Sequence, residues 1–157
     1  FIFLRRRAKR CWQISRVATA RSLDAFPPVA AVIPCYLPNE QHIIEETVRW
    51  ITEKVEYPGQ LDVFVVYNTP DDLPEIEDRL QELQASEAWP KDRSFRAMRV
   101  KESRSKAANL NAALKCVDQP YVVIYDADHH PDSDSLLLLL EKMVRRDVDC
   151  VQGSYYM

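Results

Sequence analysis

An apolar run that ends in two aspartates constrains the fold of this chain more than any other feature. Residues 121–125 are apolar or aromatic, and Asp126, Ala127 and Asp128 follow them directly. Such continuous apolar sequence is typical of a strand buried in a parallel sheet. Ligands of open α/β sheets bind outside the carboxyl ends of the strands, and carboxylates at positions i and i+2 of an extended segment lie on the same side. The run therefore predicts a parallel sheet with a cation site at its carboxyl edge.

His129 adds a candidate nitrogen ligand to these two carboxylates. Oxygen ligands alone suit Mg²⁺ or Ca²⁺, whereas an imidazole ligand favours manganese-like chemistry. A metal held by Asp126, Asp128 and His129 would neutralise and orient a diphosphate. Short motifs of this kind also occur by chance in solvated loops, and Asp132 and Asp134 make the neighbourhood acidic in any case. The motif alone therefore leaves both interpretations open.

Strand-like and helix-like segments alternate along the chain. Largely apolar segments predict five strands, at residues 29–33, 61–67, 95–100, 121–126 and 148–152, of which the third is weaker because arginines interrupt it. Helical spacing of apolar residues predicts four helices, at about residues 40–56, 73–83, 104–117 and 132–146. Pro34 is expected to end the first strand, the fourth strand is expected in the centre of the sheet, and Asp132 or Ser133 is expected to cap the last helix. This alternation predicts one α/β domain with a mostly parallel, three-layer sheet.

The third predicted helix has an apolar face of its own. Over residues 104–117 the spacing predicts that Ala107, Leu110, Leu114 and Val117 are buried.

Charge separates a basic N-terminal arm from an acidic body. Residues 1–22 hold seven of the 21 Lys and Arg residues and no acid, so the remainder carries 14 basic and 24 acidic residues, a net charge of −10. A net-acidic body argues against a nucleic-acid surface as the main role of the domain. Apolar residues 1–4 followed by basic residues 5–10 resemble the cytoplasmic end of a transmembrane helix, although an arm lying on solvent or lipid headgroups has the same pattern. We therefore expect residues 1–28 to be a juxtamembrane arm and linker, with a membrane-associated domain of residues 29–157 facing the cytoplasm.

The cysteines and glycines exclude several kinds of site. The four cysteines form no CxxC pair, and Cys35, Cys116 and Cys150 have apolar neighbours, which predicts buried, reduced thiols in a reducing compartment. With two glycines, the chain has neither glycine-rich phosphate fingerprint. A nucleotide would therefore have to be bound by a metal and by side chains.

Polar residues follow the other predicted strands and begin the third predicted helix. Lys106 and Asn109 share one face at the start of that helix, where its positive end favours an anionic group. Taken alone, Lys106 would be an ordinary surface lysine. The convergence of several polar groups at one sheet edge is what favours a binding site.

Four motifs together resemble family 2 glycosyltransferases, and the cellulose-synthase-like branch most closely. They are Val-Ile-Pro-Cys-Tyr (32–36) with Asn39-Glu40, Ser-Lys-Ala-Ala-Asn-Leu-Asn-Ala-Ala-Leu (105–114), Val-Ile-Tyr-Asp-Ala-Asp-His (123–129) and Val151-Gln152. Their order and spacing cover roughly residues 29–153. The resemblance implies a Rossmann-like, A-type glycosyltransferase fold truncated at its C terminus. It also implies a nucleotide-sugar donor, usually a UDP-sugar, and Mn²⁺ or Mg²⁺ as the cofactor.

The same resemblance assigns roles by motif. Asp126, Asp128 and His129 would hold the metal, with Asp126 also facing the donor diphosphate. Donor-binding roles fall to Tyr36, Glu40, Asn68, Lys106 and Asn109.

Asn68 is a departure from the family pattern. Many relatives carry an aspartate directly after the second strand, where it reads uracil, whereas here Tyr67 is followed by Asn68. Either the Asn68 amide contacts the base or Asp71 or Asp72 takes this role, so the base identity stays open.

The resemblance implies an inverting hexosyltransferase that makes a β-linked glycan or polysaccharide on a glycan or lipid acceptor. Inverting transfer needs a carboxylate to accept the acceptor's proton. The family's base and acceptor motifs would lie beyond Met157, so this chain contains no catalytic candidate and is expected to bind donor and metal but to transfer little sugar alone. Two alternatives remain: a degenerate binding module without catalysis, and a nucleotidyltransferase. The latter usually has a glycine-rich basic loop where residues 35–38 stand.

Overall fold

The computed structural model of the protein describes residues 26–86 and 88–153. The predicted basic arm and its membrane flank, up to residue 25, lie outside the described residues. No helix in the two described ranges is both long enough and apolar enough to cross a membrane.

Strands and helices alternate through the described residues as predicted. They are β1 (Val29–Tyr36), α1 (Leu37–Glu40), α2 (Ile44–Lys54), β2 (Leu61–Asn68), α3 (Pro74–Ala85), β3 (Arg93–Arg99), α4 (Lys106–Leu114), β4 (Tyr121–Ile124) and α5 (Ser135–Arg146). The strand order is β3-β2-β1-β4, and all three neighbouring pairs are parallel. The predicted parallel α/β sheet is therefore confirmed.

Two apolar clusters, one on each face of the sheet, give the three predicted layers. On one face, Ile33 of β1 belongs to a cluster with Ile51 of α2 and Leu80 of α3, and α5 adds its own leucines. On the other face, Val32 belongs to a cluster with Ala113 of α4. Side chains of a strand alternate between the two faces, and both faces of β1 are covered. This double burial explains the continuous apolar sequence of β1.

Pro34 lies inside β1, so the expectation that it ends this strand was wrong. The Val29 N–H donates to Gln60 on the β2 side at 2.9 Å, and the Val32 carbonyl accepts from Tyr125 on the β4 side at 3.1 Å. Groups alternate in direction along a strand, so Pro34 faces the β4 side, as Val32 does. The last β4 residue is Ile124, which pairs with Val32. The N–H that proline lacks would therefore point past the end of β4, and its absence breaks no strand pairing.

The sequence placed β4 in the centre of the sheet, but it lies at an edge among the described residues. Val122 is 40% exposed and Ile124 is 51% exposed, whereas Tyr121 and Val123, on the other face of β4, pack against the core.

The predicted strand at residues 148–152 is absent, and that segment has no regular structure. Cys116 and Cys150 are exposed, and of the three cysteines predicted to be buried only Cys35 is.

Helix α4 turns a partly different face to the sheet from the one predicted. Of the four residues predicted to be buried, Leu110 and Val117 are partly buried against the core cluster, whereas Ala107 is exposed and Leu114 is 52% exposed. Asn109 and Ala113 are the buried residues of the helix. The physical cause is the side chain of Asn109, which hydrogen bonds into the end of β1.

Helix α5 also begins later than predicted. Its N-cap is Asp134, with no side-chain capping bond, and neither Asp132 nor Ser133 is the cap.

Candidate functional site

A groove of about 1280 Å³ opens at the carboxyl edge of the sheet. It is formed by the ends of β1 and β2, the loop before α4, and the residues that follow β4. Seven of the eight residues predicted for the site line this groove: Tyr36, Glu40, Asn68, Lys106, Asn109, Asp126 and Asp128. Ligand pockets typically have volumes of about 300–1,000 Å³, so this groove is large enough to bind a small-molecule ligand.

The two predicted aspartates form one side of the groove. Ala127 between them is 2% exposed and belongs to the core cluster, whereas Asp126 and Asp128 are both exposed. Because the middle residue is anchored in the core, the carboxylates on either side of it face the groove. The His129 N–H donates to the Asp126 carbonyl at 3.0 Å and closes the turn.

His129 does not line the groove with these carboxylates. Its ring stacks on Tyr125, with centroids 5.5 Å apart and planes 8° apart. Among the described residues, no group of three His, Cys, Asp or Glu side chains is placed to hold a metal. Asp126 and Asp128 alone suit a divalent cation that takes its other ligands from phosphate oxygens and water.

The pKa of His129 is expected to shape the pH dependence of stability. Burial lowers this pKa, against the opposing charges of Asp126 and Asp128. The folded state then binds a proton less readily than the unfolded state, in which the pKa is about 6.5. The stabilisation is therefore present above pH 6.5 and is lost as the pH falls through the lower folded pKa. NMR titration of the imidazole, assigned with His129→Gln, would contradict this if its midpoint lay above 6.5.

Two basic residues that the sequence analysis missed also line the groove. Lys101 and Arg104 line it together with Lys106, whose ammonium forms an ion pair with Asp126. The Ser105 hydroxyl accepts from the Ala108 N–H at 3.1 Å and caps α4, so the loop ends at Lys106. The signal was present in the run of residues 101–106, but the helix had been predicted to begin at residue 104. The groove is therefore lined by basic as well as acidic side chains, and Glu102 of the same loop adds a further carboxylate.

Two amide side chains form the floor of the groove. Asn109 is 1% exposed, and its Nδ2 donates to the Cys35 carbonyl at 3.1 Å and to Asn68 Oδ1 at 2.8 Å. A carbonyl can only accept, so the bond to Cys35 fixes which end of the Asn109 amide faces β1. Asn68 must then turn its Oδ1 to Asn109, and its own amide hydrogens face elsewhere. Asn109 thus supports Asn68, and both of its hydrogens are already used.

The end of β1 completes the groove. Glu40 Oε2 accepts from the Tyr36 N–H at 2.7 Å, which fixes the first turn after the strand. The Tyr36 side chain is 40% exposed at the groove and offers an aromatic face. Burial raises the pKa of the neighbouring Cys35 thiol well above its usual range, so this lining cysteine stays protonated and is not a nucleophile.

Comparisons with known proteins agree with this geometry. The family model described as Glycosyl transferase family 2 matches residues 30–157. A Pyrobaculum calidifontis mannosyltransferase, solved in complex with GDP-Man and Mn²⁺, has 26% identity and a TM-score of 0.57 over 84% of this chain and 38% of its own. The S. aureus protein TarS (residues 1–349), solved in complex with UDP-GlcNAc, has 17% identity and a TM-score of 0.57 over 76% of this chain and 32% of its own. No curated protein sequence matches the chain. The chain thus spans about a third of the length of these solved structures.

Proposed function

This chain belongs to glycosyl transferase family 2 and has the A-type glycosyltransferase fold, and we propose that its groove binds the nucleotide-sugar donor of a glycosyltransferase. The observation that carries the proposal is that one groove is lined both by an acidic pair, Asp126 and Asp128, and by three basic side chains of residues 101–106. A diphosphate is the part of a nucleotide sugar that both kinds of side chain would recognise, because basic groups bind it directly and carboxylates bind it through a divalent cation.

The acidic and the basic residues of the groove would bind the diphosphate of the donor in different ways. Asp126 and Asp128 would hold Mn²⁺ or Mg²⁺, which when bound would neutralise the diphosphate leaving group. Lys106 and Arg104 would bind diphosphate oxygens directly. In the absence of ligand, Lys106 pairs with Asp126, so the carboxylate keeps a neighbouring positive charge. Both partners are about half exposed, which leaves Lys106 free to turn to a phosphate.

The nucleoside would lie against the ends of β1 and β2. Tyr36 offers a ring on which a base can stack, and Glu40 fixes the turn that carries it. We propose uridine as the nucleoside, with the Asn68 amide hydrogens donating to a carbonyl oxygen of the base. Support for this comes from the motif resemblance and from the orientation that Asn109 imposes on Asn68.

The finer features of the function belong to the same proposal. We infer an inverting hexosyl transfer to a glycan or lipid acceptor that makes a β-linked product, as in the cellulose-synthase-like branch. The domain of residues 29–157 would face the cytoplasm, with residues 1–28 as its arm at the membrane. Family membership disfavours the nucleotidyltransferase alternative.

Calorimetric titration of nucleoside diphosphates into the chain, with and without Mn²⁺, tests the proposal. We expect UDP to bind and Mn²⁺ to strengthen this binding. If UDP, GDP, CDP and ADP all fail to bind in the presence of Mn²⁺, the groove of this chain is not a donor site.

Asn68→Asp is expected to increase the preference of the groove for UDP over CDP. The introduced carboxylate can still accept from Asn109, but it replaces the amide hydrogens with a second acceptor. Uracil presents an N3–H donor at the edge where cytosine presents an N3 acceptor, so the preference for UDP over CDP should rise about tenfold. The measurement is the ratio of the two dissociation constants in Mn²⁺. Asn111→Asp, on the exposed side of α4, is the matched control, and an unchanged ratio in Asn68→Asp would place the base elsewhere.

A further inference from the structure

The segment that carries the two aspartates is held by a buried hydroxyl from a distant helix. Thr47 of α2 is 0% exposed. Its hydroxyl donates to the carbonyl of Ala127 at 2.7 Å, across 80 residues of sequence. Ala127 is the residue between Asp126 and Asp128, so this bond fixes the peptide from which the second carboxylate projects.

Trp50, one turn further along α2, holds the next part of the same segment. Its indole N–H donates to the carbonyl of Pro131 at 3.0 Å. Its ring stacks on His130, with centroids 4.9 Å apart and planes 14° apart. His130 Nε2 also lies 3.4 Å from the Thr47 hydroxyl. The segment of residues 126–131, named here the aspartate segment, is therefore attached along one side of α2.

These contacts matter because the aspartates themselves are poorly restrained. Both carboxylates are exposed, and the Asp126 carboxylate forms an ion pair with the flexible side chain of Lys106. A site that binds a cation and a diphosphate needs its ligands held to within about 0.5 Å by packed supporting groups. The buried side of the aspartate segment supplies such support through Thr47.

We propose that Thr47 is a positioning residue, which sets the geometry of the Asp126 and Asp128 carboxylates through the carbonyl of Ala127. The expected effect of Thr47 on nucleotide binding rests on the proposed function of the groove as the donor site. Its structural part, the restraint of the aspartate segment, can be measured without any ligand.

The chain supplies a matched control for the test. Thr52 lies on the same helix, is 2% exposed, and donates only to the carbonyls of Val48 and Arg49 within α2, at 2.9 and 3.1 Å. Thr47→Val and Thr52→Val therefore make the same isosteric change at equally buried sites, and only the first removes a bond to the aspartate segment. Thr47→Ser restores the hydroxyl.

Two measurements on the full 157-residue chain are needed. The first is hydrogen exchange of the peptide that covers the aspartate segment, which includes the His129 amide bonded to the Asp126 carbonyl. The second is calorimetric binding of UDP in Mn²⁺. In Thr47→Val we expect exchange of this peptide to accelerate about tenfold and affinity to fall about 10–100-fold, the usual effect of losing a supporting partner of a metal ligand. Thr52→Val should change neither quantity, and Thr47→Ser should recover both.

The outcomes separate this proposal from the proposed function. If exchange of the aspartate segment is the same in Thr47→Val and Thr52→Val, Thr47 does not position it. If exchange accelerates only in Thr47→Val but the unmodified chain binds no nucleotide, the restraint stands and the donor site is wrong. If Thr47→Val fails to fold, Thr47→Ala removes the same hydroxyl, and unchanged exchange of the aspartate segment in that variant overturns the proposal.

Discussion

Replacing Asp128 with asparagine is expected to abolish the metal-dependent part of nucleotide binding by this chain. Asp128 is exposed in the groove and lies on the same side of the chain as Asp126. With no third His, Cys, Asp or Glu ligand gathered there among the described residues, each carboxylate supplies half of the protein's charge toward a cation. Loss of a supporting group alone costs a metal site 10–100-fold in affinity, so loss of one of two direct ligands should cost about 100-fold or more.

Calorimetric titration of UDP with and without Mn²⁺, on the unmodified chain and on Asp128→Asn, measures this effect. Asp118→Asn is the control, because Asp118 is an exposed aspartate just before the opposite end of β4. Metal-dependent binding that survives in Asp128→Asn would remove Asp128 from the ligand set. Binding that is lost in both variants would indicate damage to β4 and not to the site.

The buried centre of the fold was predictable because its apolar pattern is consistent with only one kind of element at each position. In β1 and β2 both faces are covered, so continuous apolar sequence identifies them without help from neighbours. The helix α2 was equally clear, since Ile44, Val48 and Ile51 are all fully buried at helical spacing. Local pattern and tertiary packing agree in these elements, and sequence alone is then sufficient.

The edge of the sheet was harder because an apolar run does not say how many neighbours it has. The sequence of β4 is as apolar as that of β1, yet Val122 and Ile124 are exposed among the described residues. Position in the sheet order is a long-range property that no short window contains. The same limit applies to residues 148–152, where alternation with helices suggested a strand that the structure does not form.

Most of the candidate site was predictable, because parallel strands deliver their carboxyl ends to one edge. This rule brought Tyr36, Asn68 and Asp126 together although they lie far apart in sequence. The supporting groups were not predictable. Nothing in the local sequence of Thr47 distinguishes it from Thr52, and only the fold shows which hydroxyl reaches another segment.

Asn109 was likewise predicted as a donor-binding residue, whereas in the structure its side chain joins the ends of β1 and β2. We expect Asn109→Asp to destabilise the chain by about 3 kcal/mol at neutral pH. The change is isosteric, but it places a carboxylate oxygen where Nδ2 donates to the Cys35 carbonyl and to Asn68 Oδ1. Asn68 can turn its amide over and donate, whereas the Cys35 carbonyl is fixed in β1. A buried, uncompensated charge of this kind typically costs 3–5 kcal/mol, and partial rescue by Asn68 favours the lower value.

The pH dependence of this variant distinguishes buried charge from simple loss of packing. Burial raises the pKa of the introduced carboxyl in the folded state above its unfolded value of about 3.9. Below that value both states hold the proton and the penalty is absent, and it grows as the pH rises through the folded pKa. Urea unfolding at pH 4 and pH 7 should therefore show a larger loss at pH 7. Asn111→Asp makes the same substitution on the exposed face of α4 and should stay within about 0.5 kcal/mol of the unmodified chain. Equal losses in both variants would mean that Asn109 does not hold the ends of β1 and β2 together.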